Sequence, residues 1–152
     1  MVRLTTPLLA AWLALGLGCA SVRLAPAGAP PDVRLLGGRV VPWASLLAPQ
    51  GTTLVVFATL WCEICRRERP AVQAWARAHP HRTVYVFSGG EPAQAAQEIR
   101  GLHLDPSALT VVVDADGRLA DHFGVEATPT LLLLDPSGHV IATSHRFDPA
   151  LN

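Results

Sequence analysis

The sequence predicts an α/β fold, a layered sandwich built around a mixed sheet. Four apolar runs, at residues 52–58, 84–87, 109–113 and 130–134, are continuous rather than alternating, as in strands covered on both faces. Stretches with helical periodicity separate them, the pattern of strand–helix–strand units. The last run then passes through Asp135-Pro136-Ser137-Gly138 into a further apolar segment at 139–143, so the sheet should close with an antiparallel hairpin.

The first residues belong to targeting, not to the fold. Arg3 gives a charged start, and residues 8–17 are apolar apart from Gly16. That is too short for a membrane-crossing helix, which needs roughly 20 residues. Leu15-Gly16-Leu17-Gly18-Cys19 resembles a bacterial lipoprotein box, with Gly16 where such boxes usually carry leucine. We therefore expect a signal peptide at 1–18, a lipidated tether at 19–31 beginning on Cys19 and containing three prolines, and a folded domain at 32–152. The alternative is a cut after Ala20 by an ordinary signal peptidase. Both place the domain in the cell envelope, on the periplasmic side, where disulfides persist.

Within the domain, the two short apolar segments of residues 33–41 flank Gly37-Gly38 and read as a small N-terminal hairpin. Residues 62–79 form the longest helical pattern. Pro70 inside it should kink it and interrupt its hydrogen bonds. Residues 91–100 have Pro92 in the first turn and Gly101 at the end, and residues 118–123 are a short helix stopped by Gly124. Asp114-Ala115-Asp116-Gly117 is a turn: an EF-hand loop would need glutamate at position twelve, where Val125 stands.

Half of the 152 residues are hydrophobic and the formal net charge is zero, which is enough for one cored domain and gives no electrostatic case for nucleic acid. All twelve basic residues are arginine. No internal repeat is evident.

The chemistry lies in Trp61-Cys62-Glu63-Ile64-Cys65, at the junction of the first long strand and the longest helix. A cysteine at a helix N-terminus has its thiolate favoured by unpaired N–H groups and the macrodipole, and the thiolate is the nucleophile of disulfide exchange. The two-residue spacer lets Cys65 reach back to Cys62. A zinc half-site would want a second CxxC or a paired histidine motif, and the six histidines show no such spacing. A plain structural disulfide remains the other reading, although so short a loop gains little from closure.

Ile64, Glu68, Val72 and Trp75 fall on one helix face, with Arg66, Arg69, Gln73 and Arg77 opposite. Glu68, one turn beyond Cys65 on the apolar side, should be partly desolvated and its pKa raised. It would suit a proton acceptor for Cys65, or equally a structural acid paired with an arginine. Glu63 opposes the helix dipole at Cys62, and Arg66 and Arg67 partly offset it.

Taken together, Trp61-Cys62-x-x-Cys65-x-x-Glu68-x-Pro70, then Gly124-Val125 and Thr128-Pro129-Thr130, resemble the thioredoxin superfamily and, within it, the TlpA/DsbE-like thiol–disulfide oxidoreductases of the bacterial envelope. The resemblance runs from residue 33 to 146. It implies a thioredoxin-like three-layer sandwich in which residues 91–113 are a helix–strand insertion. It implies Cys62 as attacking thiol and Cys65 as buried resolving thiol, a redox-active disulfide between them, and Glu68 as the accompanying acid. Pro129 becomes a cis-proline facing the pair, and Trp61, Thr128 and Pro129 become substrate-binding residues, with Thr128 offering backbone to an extended segment. Expected partners are cysteine-containing exported proteins and a membrane thiol–disulfide electron donor. No cofactor, metal or nucleic acid is expected, and the protein should be monomeric and lipid-anchored. Relatives often act as reductants in cytochrome c maturation.

Departures from the pattern are Ile64, where many relatives have proline, and Val56, where thioredoxin has a buried aspartate. Relatives usually add a last helix, for which residues 147–152 leave at most one turn. Two other functions have partial signals in the sequence. Thr59, three before Cys62, hints at a thiol peroxidase, but Val55 stands where that motif wants proline. A Cu(I)-binding module could use both thiolates with His122 or His145, although copper-delivery relatives space their cysteines by three residues.

Overall fold

Five strands form the central sheet, side by side in the order Thr110–Asp114, Thr83–Ser88, Thr53–Ala58, Thr130–Leu134 and Val140–Ser144, in a computed structural model that describes residues 28–150. The expected signal peptide, Cys19 and all but the last residues of the tether lie outside the described residues. So do residues 151 and 152.

The chain enters through β1 (Val33–Arg34) and β2 (Val40–Val41), which pair antiparallel as the Gly-Gly turn predicts, with Gly38 at φ 88°. The hairpin docks on the sheet through Leu35, whose bridge to Val112 covers the outer edge of β5. A 3-10 turn, Trp43–Leu46, leads on to β3 (Thr53–Ala58).

From β3 the chain passes through α1 (Glu63–Ala78) to β4 (Thr83–Ser88), then through α2 (Pro92–Arg100) to β5 (Thr110–Asp114). Both pairings are parallel and step in the same direction across the sheet. Right-handed crossovers of that kind put both helices on one face. The short α3 (Arg118–His122) then lies on the other face, and β6 (Thr130–Leu134) returns antiparallel beside β3 before turning into β7 (Val140–Ser144).

The apolar runs are continuous because alternate residues enter two cores. Leu54, Val56 and Ala58 of β3 join Val72, Trp75 and Ala76 of α1 and Ile99 of α2. Val55 and Phe57 point to the other side, against Val33, Trp43, Leu119 and Ala120. Burying a side chain of this size contributes roughly 1.5–3 kcal/mol. The three-layer sandwich and its mixed sheet are as the sequence predicts.

Pro70 lies inside α1 and faces solvent, and with no N–H it leaves one rung of the hydrogen-bond ladder unmade, as the sequence reading has it. One detail of the helix differs. Its buried face is centred on Cys65, Val72, Trp75 and Ala76, rotated from the predicted stripe. Arg69 and Gln73 therefore do not stand free on an outer stripe. Gln73 Oε1 accepts the backbone N–H of Asp105 at 3.1 Å, and the buried Nε of Arg69 has no hydrogen-bond partner among the described residues.

Candidate functional site

The C-terminal end of β3 meets the N-terminal end of α1 at the two cysteines. Cys62 is the N-cap of α1, and its sulfur accepts the backbone N–H of Cys65 at 3.1 Å. This bond engages one of the N–H groups that a helix start leaves unpaired. The two sulfurs are joined in a disulfide. Cys62 is half-buried, whereas Cys65 is only 3 % exposed. Cys62 is thus the more accessible residue of the two.

Charge around the pair is divided. Glu63, in the first turn, makes an ion pair with Arg66, both exposed. The carboxylate that opposes the helix dipole thus has a local counter-ion, which solvent screens.

Trp61 projects into solvent with 72 % of its surface exposed. Its ring lies over Gly89 at the end of β4: a Cβ built there would be 3.4 Å from Trp61 Cη2, and Gly89 itself has φ +82°. Glycine adopts this positive φ without strain.

The Thr128–Pro129 peptide is cis, and Pro129 is buried where the chain enters β6. Thr128 Oγ1 stands 3.4 Å from Oγ1 of Thr59. Because Cys62 N–H donates to the Thr59 carbonyl at 3.2 Å, Thr59 joins the proline loop to the cysteine turn. Trp61, Cys62, Cys65, Thr128 and Pro129 are thus carried on two adjacent segments at one end of the sheet.

Glu68 is engaged elsewhere. Its Oε2 accepts the backbone N–H of Phe147 at 3.0 Å, and its Oε1 lies 3.6 Å from Arg146 Nη1. The side chain is 20 % exposed. Below it, Tyr85 is buried. Desolvation raises its phenol pKa, the Arg69 guanidinium counters that, and the Glu68 charge adds to the rise.

Three residues stand in places other than those the sequence suggests for them, His145 among them, which the sequence offers only as a Cu(I) ligand. Thr59 was visible only as a possible peroxidase motif. His145 has its Nδ1 3.2 Å from the Pro129 carbonyl, a contact set by the β6–β7 register and not by any local signal. Asp114, read as part of a turn, is buried. Its Oδ1 accepts Leu119 N–H, and its Oδ2 accepts Ala120 N–H and Ser88 Oγ–H. Among the described residues no group of three His, Cys, Asp or Glu side chains is placed to hold a metal, and no helix is long and apolar enough to cross a membrane.

Fold and site together define a thioredoxin-fold protein with a cysteine pair at the start of its first long helix. Residues 31–143 match the AhpC/TSA family, and the chain belongs to it. It is 32 % identical over 106 residues to the thiol:disulfide interchange protein DsbE homolog of Paracoccus denitrificans, covering 70 % of this chain and 57 % of that protein. To the sporulation thiol-disulfide oxidoreductase A of Bacillus subtilis it is 26 % identical over 96 residues, covering 60 % and 57 %. The chain thus spans less than two thirds of the length of these curated relatives. Among solved structures, DsbF of Mycobacterium tuberculosis superposes with a TM-score of 0.65 at 28 % identity, covering 82 % of this chain and 91 % of that one.

Proposed function

We propose that this protein is a thiol–disulfide oxidoreductase of the bacterial envelope that exchanges the Cys62–Cys65 disulfide with cysteines of exported proteins, working as a reductase. The observation that carries this is the asymmetry of the pair: Cys62, half-buried at a helix N-cap, bonded to the buried Cys65. The relatives named as disulfide interchange proteins and oxidoreductases support the same reading.

In the reduced protein the Cys62 thiolate attacks one sulfur of a client disulfide. The client S–S bond breaks, one client sulfur leaves as thiolate and takes a proton, and Cys62 is joined to the other. Cys65 then loses its proton, with Glu68 as acceptor, and attacks Cys62 Sγ. The second client thiol departs, the client has gained two electrons, and the Cys62–Cys65 disulfide has re-formed. Trp61, Thr128 and Pro129 hold the client segment, Thr128 through backbone groups in the strand-addition mode. A dithiol protein of the membrane would return the two electrons.

The signal at 1–18 and lipidation at Cys19 would keep the domain at 32–152 on the outer side of the membrane as a tethered monomer. Assembly of c-type cytochromes, whose cysteines must be reduced, is the client process that the DsbE likeness suggests.

The test is the midpoint potential of the pair, read by alkylation mass shifts in graded thiol buffers, together with trapping by the Cys65→Ser variant. A reversible two-electron step near the thioredoxin value, about −270 mV, and Cys62-linked client adducts are expected. A potential near about −120 mV would make the protein an oxidant instead. No reversible step and no adducts would rule out the oxidoreductase reading.

A further inference from the structure

We infer that His145 is a positioning residue: its Nδ1–H holds the carbonyl of Pro129 and so fixes the Thr128–Pro129 edge on which an extended client segment adds. This deepens the function proposed above and rests on it.

Nδ1 of His145 lies 3.2 Å from Pro129 O and 3.2 Å from Thr130 Oγ1. Thr130 Oγ1 is itself 2.7 Å from the Ala127 carbonyl. A carbonyl only accepts, so the threonine hydroxyl gives its single hydrogen to Ala127. Neither Pro129 O nor Thr130 Oγ1 then has a proton to offer. The hydrogen must sit on Nδ1, shared between the two oxygens, and the neutral ring is held in the Nδ1–H tautomer with Nε2 bare.

The placement follows from the sheet. Leu131 pairs with Ser144, so His145 comes opposite Thr130, where the proline loop enters β6. Proline has no N–H, which leaves the carbonyl as the one backbone group by which Pro129 can be held. On the other side of the loop, Thr128 Oγ1 is 3.4 Å from Thr59 Oγ1. Two residues beyond His145, the N–H of Phe147 is held by Glu68 of α1. The segment from His145 to Phe147 therefore braces the client-binding loop against the helix that carries the cysteines. A small disulfide needs only the Cys62 sulfur and makes no strand contact, so it should be indifferent to the brace.

The test compares a cysteine-containing extended peptide, disulfide-linked to glutathione, with the small aromatic disulfide 5,5′-dithiobis(2-nitrobenzoate). The enzyme is reduced wild type, His145→Ala or His145→Asn, used in single turnover in excess over the disulfide, with KM read as the concentration giving half the limiting rate and kcat as that limiting rate. For His145→Ala we expect KM for the peptide to rise about threefold to tenfold, the range for one net hydrogen bond, with kcat and the rate on the small disulfide unchanged. His145→Asn places an amide N–H near the position of Nδ1 and should restore KM. An unchanged KM, or an equal loss on both substrates, would overturn the inference. Should His145→Ala fail to fold, long-range 1H–15N correlation on the wild-type ring decides the point: Nδ1–H is expected, and Nε2–H would overturn it. A wild-type protein inert on both disulfides would count against the oxidoreductase reading, while the tautomer measurement would still decide the brace.

Discussion

The backbone N–H of Phe147 donates to Oε2 of Glu68 across 3.0 Å, tying the chain that leaves β7 to the helix that carries the cysteines. Glu68 thus has an anchoring duty beside the proton-accepting one proposed for it, and Arg146 adds a partner at 3.6 Å. The duties separate by substitution, because anchoring needs an acceptor oxygen whereas proton acceptance needs a carboxylate.

Glu68→Gln keeps an oxygen for Phe147. It should unfold within about 1 kcal/mol of wild type while resolving the Cys62 mixed disulfide about tenfold or more slowly, within the range for loss of a general base. Glu68→Ala should lose about 1–3 kcal/mol as well, since the Phe147 N–H is left without its acceptor. Denaturant unfolding with stopped-flow decay of a preformed mixed disulfide reads both. Equal resolving rates in all three proteins would leave Glu68 with anchoring alone.

The sheet was legible in the sequence because its strands are buried on both faces, so that β3, β4, β5 and β6 read as unbroken apolar runs. The cysteine pair was legible because its chemistry is local to one helix start. What escaped depends on contacts between distant segments. The Phe147–Glu68 bond spans 79 positions, and that from His145 to Pro129 spans 16. The buried face of α1 differs from the periodic stripe for a similar reason. Periodicity counts apolar residues, and it cannot see that Arg69 lies beside the buried Tyr85 or that Gln73 caps the Asp105 amide.

Asp114 governs stability at the start of the β5–α3 turn. Its buried carboxylate accepts three hydrogen bonds, from Leu119 N, Ala120 N and Ser88 Oγ. Asp114→Ala should destabilise by about 2–4 kcal/mol, because the start of α3 loses its acceptor in a buried setting. Asp114→Asn should do little better, since an amide NH2 turned toward these donors cannot accept. The measurement is equilibrium unfolding. A loss under about 1 kcal/mol for Asp114→Ala would show that water replaces the carboxylate.

Acid should weaken the fold in two separate windows. Burial lowers the His122 pKa from its ordinary 6.5, so the unfolded chain takes up that proton first as pH falls. The stability this provides is whole above 6.5 and is lost as pH drops from there through the lower folded value. His122→Gln should flatten that part of the curve. Asp105 and Asp135 are held below their ordinary 3.8 chiefly by the hydroxyls of Ser107 and Ser137. Their contribution is kept above 3.8 and disappears below it. Melting temperature against pH, with Ser107→Ala and Ser137→Ala, should separate the windows; a His122→Gln curve parallel to wild type would remove the histidine from the account.

Trp61 offers the sharpest division between fold and recognition. With 72 % of its surface exposed, it contributes little to the core, so Trp61→Ala should unfold within about 0.5 kcal/mol of wild type. A protein client that covers the indole would lose that contact, and KM should rise about tenfold, equivalent to ~1.4 kcal/mol. The midpoint potential of the Cys62–Cys65 pair should stay put, because the bond from Cys65 N–H to Cys62 Sγ does not involve the indole. If the potential moved and KM did not, Trp61 would be acting on the disulfide itself, and client recognition would have to rest on the Thr128–Pro129 edge alone.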